Sequence, residues 1–293
     1  MSAPTDPTLT TLCTEALKKA GHNSPTSAQI THAGDYYMEE IKADICLLSR
    51  KLKSLEITAA IPIPAGKRRF DRPTDFGMDL TLTLLDGTQT GTAQSGSTSS
   101  ITLAATATSA ERDVLGRDIL ITSGTGVNGF SHATAYNTST KAATVYPNFT
   151  TAPSSDSGYL IVDRNYPIEI GPAFRGDLNS TPYNVQRPSM AYPIGDESNG
   201  DFFFDSIPDK AYGLRMRYFV DLQTLDLAST RMTTLYRKWR TFWIQGVMAK
   251  ELQMRDDERA ALEMRKYEQG LSALIGREAP GLDLSTLQVT VSD

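Results

Sequence analysis

The chain predicts an α+β fold: N-terminal helices and a C-terminal helix hairpin packed as a helical bundle beside a β-domain, with a small β-sandwich or barrel module inserted. Three observations predict it. Apolar residues recur at helical spacing near both ends, and the middle reads as short alternating strands separated by Gly, Asn and Ser clusters. A small, polar stretch, TQTGTAQSGSTSS at 88–100, marks where one β-region gives way to another. Neither helical end can bury its stripe alone, so the two pack on each other. The expected boundaries are 1–87 for the N-terminal helices and first host strands, and 88–163 for the inserted module. Returning strands and a long loop fill 164–229, the hairpin 230–276 and an extended tail 277–293.

Asp6 followed by Pro7 is a helix start and Gly21 a stop, which predicts a first helix over 8–20. Ser24 and Pro25 repeat the start. A second helix then runs to about Leu55, with Ile30, Tyr37, Ile41, Ile45, Leu48, Leu52 and Leu55 on one face. At Ile57 the character changes to short strands broken by Pro and Gly, with Pro73, Thr74 and Asp75 as a turn. The segment 88–100 reads as a linker or exposed loop. Strands follow at 101–105, 118–122, 130–136, 142–146 and 159–163, at the spacing of a small sandwich or barrel. Host strands resume at 166–170, 202–206 and 212–220, and the Pro- and Gly-rich stretch 171–200 between them reads as a long loop.

The stretch LYRKWRTFWIQGVMAKELQMRDDERAALEMRKYEQGLSALI at 235–275 reads as two amphipathic helices joined by an acidic turn. Leu235, Trp239, Phe242, Gly246 and Ala249, widened by Trp243 and Val247, form the first stripe; Ala260, Met264, Tyr267, Leu271 and Leu274 form the second. The expected hairpin core is therefore Leu235, Trp239, Phe242, Trp243, Tyr267 and Leu271. Asp256 is placed to cap the second helix, and Asp257 and Glu258 suit its positive N-terminal end. Past Pro280 the tail alternates, with Leu282, Leu284, Leu287, Val289 and Val291 at apolar positions. That pattern suits adding a strand to a neighbour, against the plainer reading of a disordered terminus.

A net charge of −5 argues against a protein that grips nucleic acid by its phosphates. Cys13 and Cys46 fall on apolar helix faces, so buried thiols are favoured over a disulfide. The opening MSAPTDPTLTTL lacks a basic region and an apolar run, and no apolar segment approaches the roughly 20 residues of a membrane span. The expectation is a chain made in a cytoplasm with no membrane partner. The sequons at Asn137, Asn148 and Asn179 then carry no meaning.

Catalytic chemistry is hard to find. His22, His32 and His132 are scattered, with no ligand-spaced partners, so no metal or other cofactor is expected. ITSGTGVNG around Gly124 lacks the Lys and Ser/Thr of a phosphate loop and reads as a β-turn. Glu39 with Glu40, and Asp256 to Glu258, read as solvated charge and capping rather than acid–base pairs. One pattern remains: Arg231, Arg237, Lys238, Arg240, Lys250 and Arg255 flank the first hairpin helix among Tyr236, Trp239, Phe242 and Trp243. It suits a nucleic-acid or protein surface, although a solvated face beside a core face is the plainer reading.

Taken together, the hairpin, the preceding YGLRMRYFVDLQTLDL and the entry strands ending FDRPTDFGMDL resemble the head–tail adaptor (connector) proteins of short-tailed double-stranded DNA bacteriophages. The insert is similar to a β-module recurrent in phage structural proteins, and minimal members of the adaptor family lack it. The resemblance implies a non-enzymatic virion protein at the head–tail interface, assembled in the bacterial cytoplasm. Twelve copies would ring the underside of a dodecameric portal, extend the DNA channel and offer a platform to the tail tube or nozzle. An acidic subunit would let double-stranded DNA slide past without sequence-specific binding. The residues expected to meet the portal are Leu282, Leu284, Leu287, Val289 and Val291, with Arg237 and Arg240 second. Deleting Arg277 onward is expected to abolish attachment while leaving a folded monomer. The rival readings are a tail-fibre or receptor-binding subunit built on the β-module, and a virion-associated cell-wall hydrolase.

Overall fold

A computed structural model describes residues 8–49, 51–73, 75–172, 184–194 and 201–279. The chain forms two compact units. One comprises Met1–Glu56, Asp75–Met78 and Phe219–Asp293 and is helical; the other comprises Ile57–Thr74 and Asp79–Tyr218 and holds the strands. The α+β class with an inserted β-barrel-like module is thus present.

In the helical unit, α1 (Leu9–Lys19) starts at Thr8, whose hydroxyl accepts from the Thr11 N–H. The next helix begins two residues later than Ser24 and Pro25 suggest. Thr26 and Gln29 form a reciprocal capping box that opens α2 (Ser27–His32). A π turn at Ala33–Tyr37 leads into α3 (Met38–Leu48). The helix stops at Ser49 rather than near Leu55, because Ser49 turns extended and its hydroxyl accepts from the Lys51 N–H. Leu52 and Leu55 still reach the core, from an extended step and a 3₁₀ turn at Lys53–Leu55.

The C-terminal hairpin has three helices, not two: α4 (Thr230–Lys238), α5 (Arg240–Met254) and α6 (Ala260–Glu278). The break falls at Trp239, which leaves helical geometry and is half-buried rather than a core residue. Its partners in the expected core, Leu235, Phe242, Trp243, Tyr267 and Leu271, are buried. Asp256 takes a left-handed backbone at the turn instead of capping. Asp257 does the work nearby, accepting from the Arg259 N–H at 2.9 Å.

α5 is the central helix, buried on most sides, and packs against α1, α3 and α6. Gly246 makes this possible: a Cβ there would lie 2.6 Å from Ile41 Cδ1 and 3.0 Å from Tyr267. Phe242 stacks on Tyr267 and Trp243 meets Tyr236 edge-on. Cys13 and Cys46 are both buried thiols in this packing, not a disulfide.

The β unit holds two seven-stranded sheets. The host sheet contains β1 (Glu56–Ile63), β2 (Arg69–Asp71), β3 (Phe76–Asp86), β11 (Arg164–Ile170), β12 (Met190–Ile194), β13 (Asp201–Phe204) and β14 (Tyr212–Val220). Their spatial order is β1-β14-β3-β11-β12-β13-β2. β12 lies inside the stretch read as a long loop. It runs parallel to β11 over two residue pairs and antiparallel to β13 over four. Pro193 near its end disguises it as a breaker.

The inserted sheet contains β4 (Gln89–Thr92), β5 (Ser95–Ser97), β6 (Ser100–Thr102), β7 (Asp118–Ser123), β8 (Phe130–Asn137), β9 (Ala142–Tyr146) and β10 (Gly158–Val162). Its order is β4-β10-β7-β8-β9-β6-β5. The two outermost strands, β4 and β5, are separated in the chain by only Ala93 and Gln94. The sheet must therefore curl until its edges nearly meet. Ala93 N–H donates to Ser157 O on one edge and Gln94 N–H to Thr102 O on the other, each at 2.8 Å. The stretch 88–100 is consequently the closing seam of a barrel, not a linker. Ile101, Val114, Ile119, Ile121, Val145, Phe149, Tyr159 and Ile161 help fill the interior. The glycine-rich stretch after β7 is a hairpin turn, with Gly124, Gly126 and Asn128 at positive φ.

The barrel is spliced into a hairpin. β3 ends at Asp86, β11 begins at Arg164, and these two residues are cross-strand partners. The neck passes through Gly87, where a Cβ would sit 1.9 Å from the Ile161 carbonyl oxygen. Gly87→Ala is therefore expected to cost about 3 kcal/mol, read as a lower urea midpoint, because backbone rather than a flexible side chain must move. An unchanged midpoint would contradict this packing. Ala60, Leu85, Leu120 and Val162 form a small core shared by sheet and barrel.

Candidate functional site

The basic flank of the hairpin is largely consumed within the helical unit. Arg231 pairs with Asp75, and Lys238 with Glu278. Arg240 meets Glu15 at 2.5 Å, while Lys250 meets Asp44 at 2.9 Å and Glu40 at 3.3 Å. Arg255 donates to the Ala20 carbonyl at 3.2 Å. Apart from Glu278 on α6, the acids come from the N-terminal helices and the Asp75 segment, so most of these cations fasten the two ends of the chain together. Arg240, one of the expected portal contacts, is exposed but tied to α1; Arg237 is exposed at the end of α4. Glu39 and Glu40 are solvent-facing, as their pattern suggests.

Three buried groups extend this stitching. Lys42 donates to Glu39 and to the carbonyls of Gln223 and Leu225, at 3.0, 3.2 and 2.9 Å. Tyr267 donates to Asp44 and Tyr37 to Glu251, at 2.8 and 2.9 Å. Burial and the adjoining carboxylates push both phenols well above the ordinary tyrosine range.

The end of α6 is fixed by Glu278, a carboxylate only 1% exposed. One oxygen accepts from the Ser54 N–H and hydroxyl at 3.0 and 2.6 Å; the other accepts from the Trp239 indole N–H at 3.0 Å. Lys238 pairs with it and also donates to Ser54. The helix break at Trp239 thus serves a purpose: it turns the indole N–H toward this carboxylate. Nothing in the sequence pattern singles Glu278 out, because a glutamate near a helix end normally reads as solvated. The tail residues Leu282, Leu284, Leu287, Val289 and Val291 lie outside the described residues. A cut at Arg277 would remove the anchor itself, so a truncation that tests the tail alone must follow Ala279.

Burial alone pushes the Glu278 carboxyl up, but hydrogen bonds from Lys238, Ser54 and Trp239 outweigh it and hold the group below the ordinary glutamate range. The folded state therefore keeps its charge to lower pH than the unfolded chain. This contribution is complete above an unfolded pKa of about 4.3 and is lost as pH falls through the lower folded value. Glu263, held down by Lys266 and Gln245, adds in the same direction. Urea midpoints are expected to fall below about pH 4 and to stay level between pH 6 and 8; a midpoint that rises on acidification would contradict this.

Among the described residues no group of three or more His, Cys, Asp and Glu could hold a metal ion. His22 sits between Glu251 and Gln29, His32 against Tyr36 and Tyr37, and His132 against Asp118. Burial, with Asp35 second, pushes the Cys13 thiol up to about 12, which leaves it without nucleophilic character. No helix among the described residues is long and apolar enough to cross a membrane.

In the β unit, a cleft of about 520 Å³ lies between β1 and the barrel, lined by Thr58–Ile61, Asp118, 128–132 and 147–150. A smaller cleft at the neck gathers Asp86, Thr88, Arg117, Asp163, Arg164 and Lys210. There Asp163 accepts from Thr88, and Lys210 meets Asp86 at 2.5 Å, so its charges hold the splice together. No family model matches the chain, and no curated protein matches it.

Proposed function

We propose that the protein is a structural, non-enzymatic head–tail adaptor of a short-tailed double-stranded DNA bacteriophage. Copies of the chain form a closed ring, twelve in number, beneath the portal. The ring extends the DNA channel and offers its far side to the tail tube or nozzle. The observation that carries this reading is the Glu278 anchor, which fixes the departure point of an alternating apolar tail from a unit built of both chain ends. A tail leaving from a rigid point is suited to docking on a partner by strand addition or apolar insertion.

Charge supports the same reading. With its basic flank paired internally and a net charge of −5, the subunit offers little to hold phosphates, as a conduit for moving DNA requires. Ring closure by repeated heterologous contacts needs only one copy's surface to fit another's. Sedimentation of the full chain, alone and with portal rings, tests the proposal. The expected result is a monomer alone and a complex of one adaptor per portal subunit in the mixture. A stable trimer alone, with no portal complex, would overturn it in favour of a fibre-like subunit.

A further inference from the structure

The cleft between β1 and the barrel contains none of the tail or basic-flank residues that the ring reading uses, and its chemistry points to a ligand. Asp118 pairs with His132, and His132 with Tyr146, so the three side chains form a row across β7, β8 and β9. The alternation of burial puts the row on the outer face of the barrel, with Tyr146 71% exposed. His132 Nδ1 lies 3.1 Å from one oxygen of Asp118. The second Asp118 oxygen, His132 Nε2 and the side chains of Asn128 and Asn148 have no hydrogen-bond partner among the described residues. Elsewhere on the barrel comparable groups are committed: Asn137 accepts from two backbone N–H groups and Asp156 from Thr125 and Ser154.

The lining residues select the kind of ligand. They include no Lys or Arg, which disfavours phosphates and carboxylates. Ala60, Phe130, Pro147 and Phe149 supply an apolar wall, while Asp118, His132, Asn128, Asn148 and Thr58 supply donors and acceptors. The volume falls in the roughly 300–1,000 Å³ range of small-molecule clefts. A molecule with hydroxyls on its rim and an apolar face matches both the wall and the exposed tyrosine ring.

We propose that this cleft and the exposed Tyr146 beside it bind a neutral saccharide: the Tyr146 ring takes the apolar face of a sugar, and Asp118, His132 and Asn148 take its hydroxyls. Such a site would let the barrel contact a glycan surface while the helical unit serves the ring. It stands whether or not the ring reading does, because the test uses the isolated chain. Saturation-transfer NMR would be run on the full chain with glucose, galactose, mannose, N-acetylglucosamine and their neutral disaccharides. Tyr146→Ala and Asp118→Ala would be measured alongside. Transfer to at least one sugar, weakened about tenfold or more in both variants with unchanged thermal unfolding, is the expected result. No transfer from any sugar, or binding that survives both substitutions, would overturn it.

Discussion

Cutting the chain after Ala279 is expected to abolish attachment to a portal ring while leaving the fold intact. The cut removes Leu282, Leu284, Leu287, Val289 and Val291 and retains Glu278 and Ala279, both of which are buried. Burying even two or three such side chains contributes about 4 kcal/mol, which is roughly a thousandfold in dissociation constant. The truncated protein should keep its urea midpoint, because the hydrogen bonds that close α6 all lie before the cut. Co-sedimentation with portal rings reads the docking, and denaturation reads the fold. Attachment equal to that of the full chain would remove the tail from the account.

Glu278→Ala is expected to have the largest effect on the stability of the helical unit. The substitution leaves the Ser54 N–H and the Trp239 indole N–H, which this carboxylate bridges, without an acceptor. Unmet buried donors cost about 1–3 kcal/mol each, which places the loss at about 2–6 kcal/mol. The Lys238 pair adds little, since that lysine is half exposed. Glu278→Gln keeps one acceptor oxygen and the side-chain shape but turns the other position into an NH2 donor, and should cost less than Glu278→Ala. A urea midpoint unchanged in Glu278→Ala would show that the end of α6 is held by apolar packing alone. The portal phenotype of Glu278→Ala should follow its folding, in contrast to the clean docking loss of the truncation.

The strands of the barrel were legible because turn residues bound them on both sides. Over 118–122, 130–136 and 142–146 short runs rich in Ile, Val, Ala and aromatic residues stand between Gly-, Asn- and Ser-rich turns, and the observed strands match to within a residue. Strands β4 and β5 escaped because Thr, Ser and Gly give them no apolar face; backbone pairing to β10 and β6 makes them strands. The break at Trp239 was hidden by helical periodicity, which stays in phase across one non-helical residue. For the site, the sequence exposes the basic residues but not their partners. Arg240 and Glu15 are 225 positions apart, and Glu278 and Ser54 are 224 apart. Local charge reading treats such groups as solvated, whereas the fold brings them into contact.

The most direct test of the central claim is electron microscopy of the purified full chain mixed with portal rings, with the protein alone as control. The account predicts a twelve-fold ring stacked on the portal in the mixture and no ring in the control. Free portals beside trimers or unassembled globules would contradict it.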